Sequence, residues 1–191
     1  MKSWLVMLAD YNAWANERLF EAASGLSDQD YRADRGAFFG SMHGTLNHLL
    51  VADRIWMSRF TNDPHEPATL DTILYDDFNA LRQARRIEDA RIRDFVGSLD
   101  EDRLRSTVTY RTKTSPAMIE QELGPVLLHF FNHQTHHRGQ AHCILTGLTG
   151  QAPALDLLVY QRQSGVSIQS QQGGLSLAPE RRPHRSEPRV S

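Results

Sequence analysis

The 191-residue chain has one cysteine, Cys143. An internal disulfide is excluded, and so is a zinc site built on several thiolates. A cytoplasmic setting is the expectation for such sparse cysteine. Long apolar runs are missing too: no stretch approaches the ~18 residues that a membrane span needs. The apolar start of the chain soon meets Asp10, Asn12, Asn16, Glu17 and Arg18, too early for the core of a secretory signal. Charge of one sign is also scarce. The formal net charge is -2, so no strong field draws the protein to nucleic acid or anionic lipid. No basic stripe or recognition-helix pattern appears, which argues against a DNA partner. There is no internal repeat.

What is present is globular composition, 40% hydrophobic and 23% charged, on a length that suits one domain. Apolar residues recur three and four apart at Trp4, Leu8, Tyr11, Ala15, Leu19 and Ala22, which predicts a helix over Trp4–Ala23. A second stripe, Leu46, Leu49, Ala52, Trp56 and Phe60, predicts a helix over Met42–Phe60, closed by Pro64 and Pro67. A third runs from Asp71 to Val96 through Leu74, Phe78, Leu81, Ile92 and Phe95. Arg85 and Glu88 interrupt this stripe: they sit inside as a polar pair or the helix is solvated there, and the solvated reading is preferred because such side chains are rarely fully buried. From Leu104 to Tyr110 the pattern alternates, a short extended stretch. A fourth helix is expected over Ile119–Gly147, with Pro125 in the first turn of its main part and Gly147 and Gly150 as breakers. A short fifth helix is expected over Ala154–Gln163. From Ser164 the composition turns to Gly, Ser, Gln, Pro and Arg, a low-complexity tail. The reading is all-α: a four-helix-bundle domain over residues 1–163 with a short extra C-terminal helix, then a tail over 164–191.

Five of the nine histidines lie between His129 and His142. Helical geometry, at ~100° per residue from His133, sorts them. Val126, Phe130, Ala141, Ile144, Leu145 and Leu148 fall between roughly 20° and 120°. His137 lies inside that arc at about 40°, and His133 at its edge. His129 and His136 fall outside it, and His142 points nearly opposite. The i, i+4 pair His133 and His137 has Cβ atoms about 5–6 Å apart, a spacing that lets two imidazoles grip one metal ion. A third ligand must come from another helix. His48, at the edge of the second stripe beside Ala52 and Ile55, is the candidate. A histidine on an apolar face is more often a hydrogen-bonded core residue than a ligand, so spacing alone leaves both readings open. There is no His-Glu-x-x-His and no Glu-x-x-His, which disfavours a standard zinc protease and a di-iron carboxylate bundle.

The run His129-Phe-Phe-Asn-His133-Gln-Thr-His136-His137-Arg-Gly-Gln140 resembles the signature of the DinB/YfiT-like family of proposed metalloenzymes. Tyr11-Asn-Ala-Trp-Ala-Asn-Glu-Arg-Leu19 is similar to that family's first helix, and Asn47-His48 with Asp53 to its second. The resemblance spans about Leu5 to Gln163. It implies a four-helix bundle, often dimeric, with three histidines on a nickel or zinc ion, at positions that match His48, His133 and His137 here. It also implies chemistry on a small-molecule substrate: transfer or isomerisation dependent on a low-molecular-weight thiol, or hydrolysis. A non-catalytic metal-binding or stress-response protein is the alternative. The catalytic residues stay unassigned. Asn12, Asn16, Asn132 and Gln140 are candidates to orient ligands, or they bond locally. Arg138 is read as a surface ion-pair member, Cys143 as a small buried hydrophobe, and His43, His65, His142 and His184 as solvated. Tyr11 and Trp14 are core residues or pocket lining. A homodimer is expected from the resemblance and from an apolar excess on the first and third segments.

Overall fold

The computed structural model describes residues 1–65, 67–112 and 117–166. The chain folds into seven helices and one hairpin among these residues: α1 (Lys2–Ala23), α2 (Asp28–Arg32), α3 (Met42–Thr61), α4 (Phe78–Ser98), α5 (Glu101–Arg105), β1 (Thr107–Arg111), β2 (Met118–Glu122), α6 (Leu123–Thr149) and α7 (Leu157–Gln163). Helix α1 packs on α4 and α6, and α3 packs on the same two, which closes a ring of the four long helices.

The ends of these helices follow from local chemistry. The Ser41 hydroxyl accepts from the Gly44 amide at 3.0 Å and starts α3. Asn62, with φ 54°, ends it in the left-handed region that asparagine tolerates. The expected third helix begins at Phe78 rather than Asp71, because the Asp77 carboxylate caps it by accepting from the Ala80 amide at 2.8 Å. Helix α6 begins at Leu123 rather than Ile119, because residues 118–122 pair as a strand. Pro125 does sit in its first turn, where a missing N–H costs nothing. Gly147 stays helical, and Gly150, at φ 73°, is the stop. The alternating stretch after Leu104 is strand β1, antiparallel to β2 with Tyr110 opposite Ile119. The protein is therefore mostly helical with a two-stranded sheet, where an all-helical chain with one unpaired strand was expected. The tail beyond Val166, His184 included, lies outside the described residues.

The buried apolar residues form two clusters. One holds Leu5 and Ala9 of α1, Met57 and Phe60 of α3, Ile92 and Val96 of α4, and Leu123 to Phe131 of α6. The other holds Leu19 and Phe20, then Met42 to Leu50, then Leu81 and Ala84, then Ala141 to Leu145. Helices α1 and α6 run from the first cluster to the second, whereas α3 and α4 run back. Between the clusters, each long helix contributes buried polar side chains: Asn12 and Asn16, Asp53, then Arg85, Glu88 and Asp89, and Gln134 and Arg138. Arg85 is 1% exposed and Glu88 4%, so the expectation of a solvated pair is corrected. The Arg85 guanidinium is neutralised inside, 2.6 Å from Asp53 Oδ2 and 2.9 Å from Asp89 Oδ1. Arg138 is likewise no surface residue. It is 2% exposed, donates to Asn12 Oδ1 and Thr135 Oγ1, and lies 5.3 Å over the Tyr11 ring.

Candidate metal centre

Three imidazoles converge where α3 faces α6. His48 comes from the second turn of α3. His133 and His137 come from adjacent turns of α6, which runs antiparallel to it. Ligand nitrogens of His48, His133 and His137 all lie within 4.8 Å of one another, so the three could hold a metal ion. The Nε2 atoms of His133 and His137 are 3.2 Å apart. Two nitrogens bound to one ion at ~2.05 Å with an angle near 100° are separated by about that distance. No carboxylate joins the group among the described residues. Asp53, one turn beyond His48, is spent on Arg85 and accepts from Gln134 Nε2.

The surroundings fix which nitrogen faces inward. His48 Nδ1 lies 2.8 Å from the Leu70 carbonyl. A carbonyl only accepts, so Nδ1 carries the proton and Nε2 of the neutral ring keeps a lone pair. That Nε2 is buried without a hydrogen-bond partner among the described residues, an orphan that a bound cation would satisfy. His137 Nδ1 donates to Gln140 Oε1 at 2.9 Å, which turns its Nε2 inward in the same way. The Leu70 carbonyl is itself held in place by α3. Asn47 Oδ1 accepts the amides of Leu74 and Tyr75 at 2.9 and 3.0 Å, and Asn47 Nδ2 donates to the Tyr75 carbonyl at 3.1 Å. Asn47 thus ties the loop after α3 down beside the neighbouring His48.

Aromatic packing closes the other side. Phe39 stacks on His48 with centroids 3.6 Å apart and meets His137 edge-on at 5.5 Å. This approach depends on Gly44, where a Cβ would collide with the Phe39 carbonyl oxygen. Away from Phe39 the site opens through His133 and Leu70 into a cavity of about 500 Å³.

Burial decides the electrostatics. It pushes the His48 imidazole down to about 4, against the Leu70 carbonyl, which favours the charged ring. It pushes His133 down to about 3, helped by the neighbouring His137 and His48. His137 is lowered as well, chiefly by burial. All three are therefore neutral and ligand-competent at neutral pH.

The same depression predicts acid lability of the metal-free chain. Unfolded histidines take protons near pH 6.5, whereas folded His48 and His133 refuse them until about 4 and 3. The folded state then binds fewer protons, so its stability is fully present above ~6.5 and is lost as pH falls toward these values. Allowing for partial solvent screening, we expect a loss of about 2 kcal/mol between pH 7 and pH 5 from these two residues. Urea titrations at both values, on wild type and on His48→Gln/His133→Gln, check it. The double variant should show the smaller pH slope.

The remaining sequence candidates divide clearly. Asn12 and Asn16 donate to Asp89 at 3.3 and 3.0 Å and belong to the buried polar layer, away from the three histidines. Gln140 does orient a ring, and Asn132 is exposed. His136 is exposed and packs edge-on against His137 at 4.8 Å. His43 is buried, contrary to expectation, 3.2 Å from the Tyr75 carbonyl. His142 is half-buried against the Pro153 carbonyl, and His65 is exposed as expected. Cys143 is exposed rather than buried. Tyr11 is buried, with its hydroxyl on the Leu155 carbonyl at 2.7 Å. The Leu70 carbonyl and Phe39 were missed. A backbone carbonyl leaves no sequence signal, and Phe39 shows only as one of two adjacent phenylalanines in a loop.

Protein DinB of Bacillus subtilis (strain 168) is 22% identical over 148 residues, which cover 76% of this chain and 86% of that protein. The model of the DinB family matches residues 1–173, nearly the whole chain, and the chain belongs to that family.

Proposed function

We propose that His48, His133 and His137 bind one divalent ion, zinc or nickel, and that the chain is a metal-dependent enzyme acting on a small molecule. The ring of α1, α3, α4 and α6 serves as a four-helix bundle that places the three ligands on facing helices. The observation that carries the reading is the buried Nε2 of His48, without a hydrogen-bond partner among the described residues and grouped with the two α6 imidazoles beside a cavity of about 500 Å³. An ion held by three neutral imidazoles keeps positions open, and there it acidifies a bound water toward a pKa of ~7 or favours the thiolate of a bound thiol. Thiol-dependent transfer and hydrolysis are thus the two reaction classes, and a low-molecular-weight thiol is the co-substrate in the first. The protein's own part is to hold the ligand rings, through the Leu70 carbonyl and Gln140, and to exclude water from the Phe39 side.

Elemental analysis of the purified protein should find about one zinc or nickel per chain. Thiol-transfer and hydrolase screens with that metal then separate the two classes. A protein that neither retains nor takes up either ion at micromolar concentration would overturn the reading, and a loaded protein inactive in both screens would favour a non-catalytic metal binder. Pairing with a second copy fits the exposed Trp4 of α1 and Ile87 of α4. Light scattering should therefore read about twice the 21.7 kDa chain mass, in the cytoplasmic setting that a lone cysteine suits.

A further inference from the structure

The loop between α3 and α4 is anchored on one face of α3. His43, Asn47 and Arg54 share that face within about 40° of arc, and all three reach Tyr75. His43 Nε2 lies 3.2 Å from the Tyr75 carbonyl, and Arg54 donates to the Tyr75 hydroxyl at 3.2 Å. Asn47 makes the central contact. Its Oδ1 accepts the amides of Leu74 and Tyr75, and its Nδ2 donates to the carbonyls of Tyr75 and His43, all at 2.9 to 3.1 Å. Asn47 is fully buried, so water does not compete for these bonds. Upstream in the same loop, the Thr72 hydroxyl donates to the Thr69 carbonyl at 2.9 Å and closes a turn around Leu70. Leu70 has two roles there. Its carbonyl accepts from His48 Nδ1 at 2.8 Å, and the residue lines the cavity of about 500 Å³.

We propose that Asn47 is the positioning residue that joins the metal centre to the cavity wall, and that metal binding and closure of this loop stabilise each other through the His48–Leu70 hydrogen bond. The second half rests on the metal reading; the first does not. A neutral imidazole carries one proton, and only the tautomer with that proton on Nδ1 leaves Nε2 free to ligate. The Leu70 carbonyl selects this tautomer, because it can only accept. It does so only while the loop is fixed, and the fixing comes from Asn47, four residues downstream of Leu70 in the loop and one residue before His48 in α3. Without the Asn47 side chain the amides of Leu74 and Tyr75 lose their acceptor, the Leu70 carbonyl loses its position, and the ring is free to move its proton to Nε2. The coupling also runs the other way. A cation on Nε2 makes Nδ1–H a stronger donor, so the bond to Leu70 tightens when the site is loaded. By reciprocity, whatever holds the loop raises metal affinity, and the ion holds the loop by the same factor. Since Leu70 lines the cavity, the wall that a substrate meets is then firmer in the loaded protein than in the empty one.

The test uses NMR on the full chain and needs no turnover. In the metal-free protein, long-range proton–nitrogen correlation spectra read the His48 tautomer. Wild type should show the proton on Nδ1 alone, and Asn47→Ala a mixture. Asn47→Asp keeps an acceptor for both loop amides and should restore most of the Nδ1 form. Hydrogen exchange then reads the Leu74 and Tyr75 amides with and without one equivalent of zinc. Zinc should slow both about tenfold in wild type and neither in Asn47→Ala, whose zinc affinity should fall about tenfold. The Ala80 amide, bonded to Asp77 at the start of α4, is the internal control and should respond much less. A His48 ring with its proton still on Nδ1 alone in Asn47→Ala would overturn the positioning role. Equal slowing at Leu74 and Ala80, or a zinc affinity of Asn47→Ala within twofold of wild type, would overturn the coupling while the metal reading stands. A wild type that binds no zinc or nickel would sink the metal reading and the coupling with it, and the tautomer result would still decide the role of Asn47. Should Asn47→Ala not fold, Thr72→Ala, which opens the turn around Leu70 without touching α3, decides in its place: it should also mix the tautomers, and an unchanged ring would overturn the proposal.

Discussion

Alanine at His48, His133 or His137 should each weaken zinc or nickel binding by about a hundredfold or more, while His142→Ala should leave it within about twofold. Each of the three supplies one of the three nitrogens in the group, and among the described residues no carboxylate joins it, Asp53 being held by Arg85 and Gln134. His142 faces the Pro153 carbonyl instead. Gln140→Ala removes only the acceptor that orients the His137 ring, so a loss of about tenfold is expected there. Competition against a chromophoric chelator reads all five proteins at one pH. Equal damage from His142→Ala and His137→Ala would mean that the ion sits elsewhere on α6. The pH dependence sharpens the point. Burial has already lowered His48 and His133 to about 4 and 3, so protons compete poorly with the metal for the folded chain. Its affinity should therefore fall far less between pH 7.5 and pH 5 than that of three exposed histidines titrating near 6.5.

The buried face of α6 was legible because a 3.6-residue period is stiff. The arc that holds Val126, Phe130, Ala141, Ile144 and Leu145 is the buried face of α6, and it selects His137 and the edge residue His133 from five histidines. The four long helices were legible for the same reason. Their starts were less so. The apolar Leu74 extended the third stripe upstream, whereas its amide is taken by Asn47, whose side chain turns residues 74 and 75 away from helix. Ile119 extended the fourth stripe, yet it pairs across the hairpin with Tyr110. Both misreadings are tertiary contacts overriding a local pattern. The polar layer was misread for a deeper reason. Arg85 and Arg138 look solvated one at a time, because beside a neighbour one turn away each needs a partner far off in sequence: Asp53 is 32 positions before Arg85, and Asn12 is 126 before Arg138. Burial of a charge becomes affordable only when four helices bring compensating groups together, and nothing in a local window records that.

That layer gives the largest expected change in stability. Arg85→Ala should destabilise the protein by about 3–5 kcal/mol at pH 7.5, because it leaves charge buried without its partner. Arg85 lies 2.6 Å from Asp53 Oδ2 and 2.9 Å from Asp89 Oδ1, and both carboxylates sit inside, with Asp53 fully buried. Asp89 would keep its bonds from Asn12 and Asn16 and Asp53 its bond from Gln134, but neutral amides do not balance two negative charges. The penalty should itself depend on pH. Burial already pushes the Asp53 carboxyl up to about 7 against the pull of Arg85, and losing the guanidinium raises it further. A carboxyl whose folded pKa stands above its unfolded ~3.9 gives stability that is present in acid and lost as pH rises through the folded value. The gap between wild type and variant should therefore narrow slightly at pH 5, by less than about 1 kcal/mol, because Asp53 of the wild type, at about 7, already takes up most of a proton on folding there. Comparing the two proteins at each pH cancels the opposing histidine effect that both share. Urea unfolding of wild type and Arg85→Ala at pH 7.5 and 5 measures it. A gap below about 1 kcal/mol at both values would mean that water reaches the carboxylates once the arginine is gone, and that the layer holds the four helices in register without a large electrostatic stake.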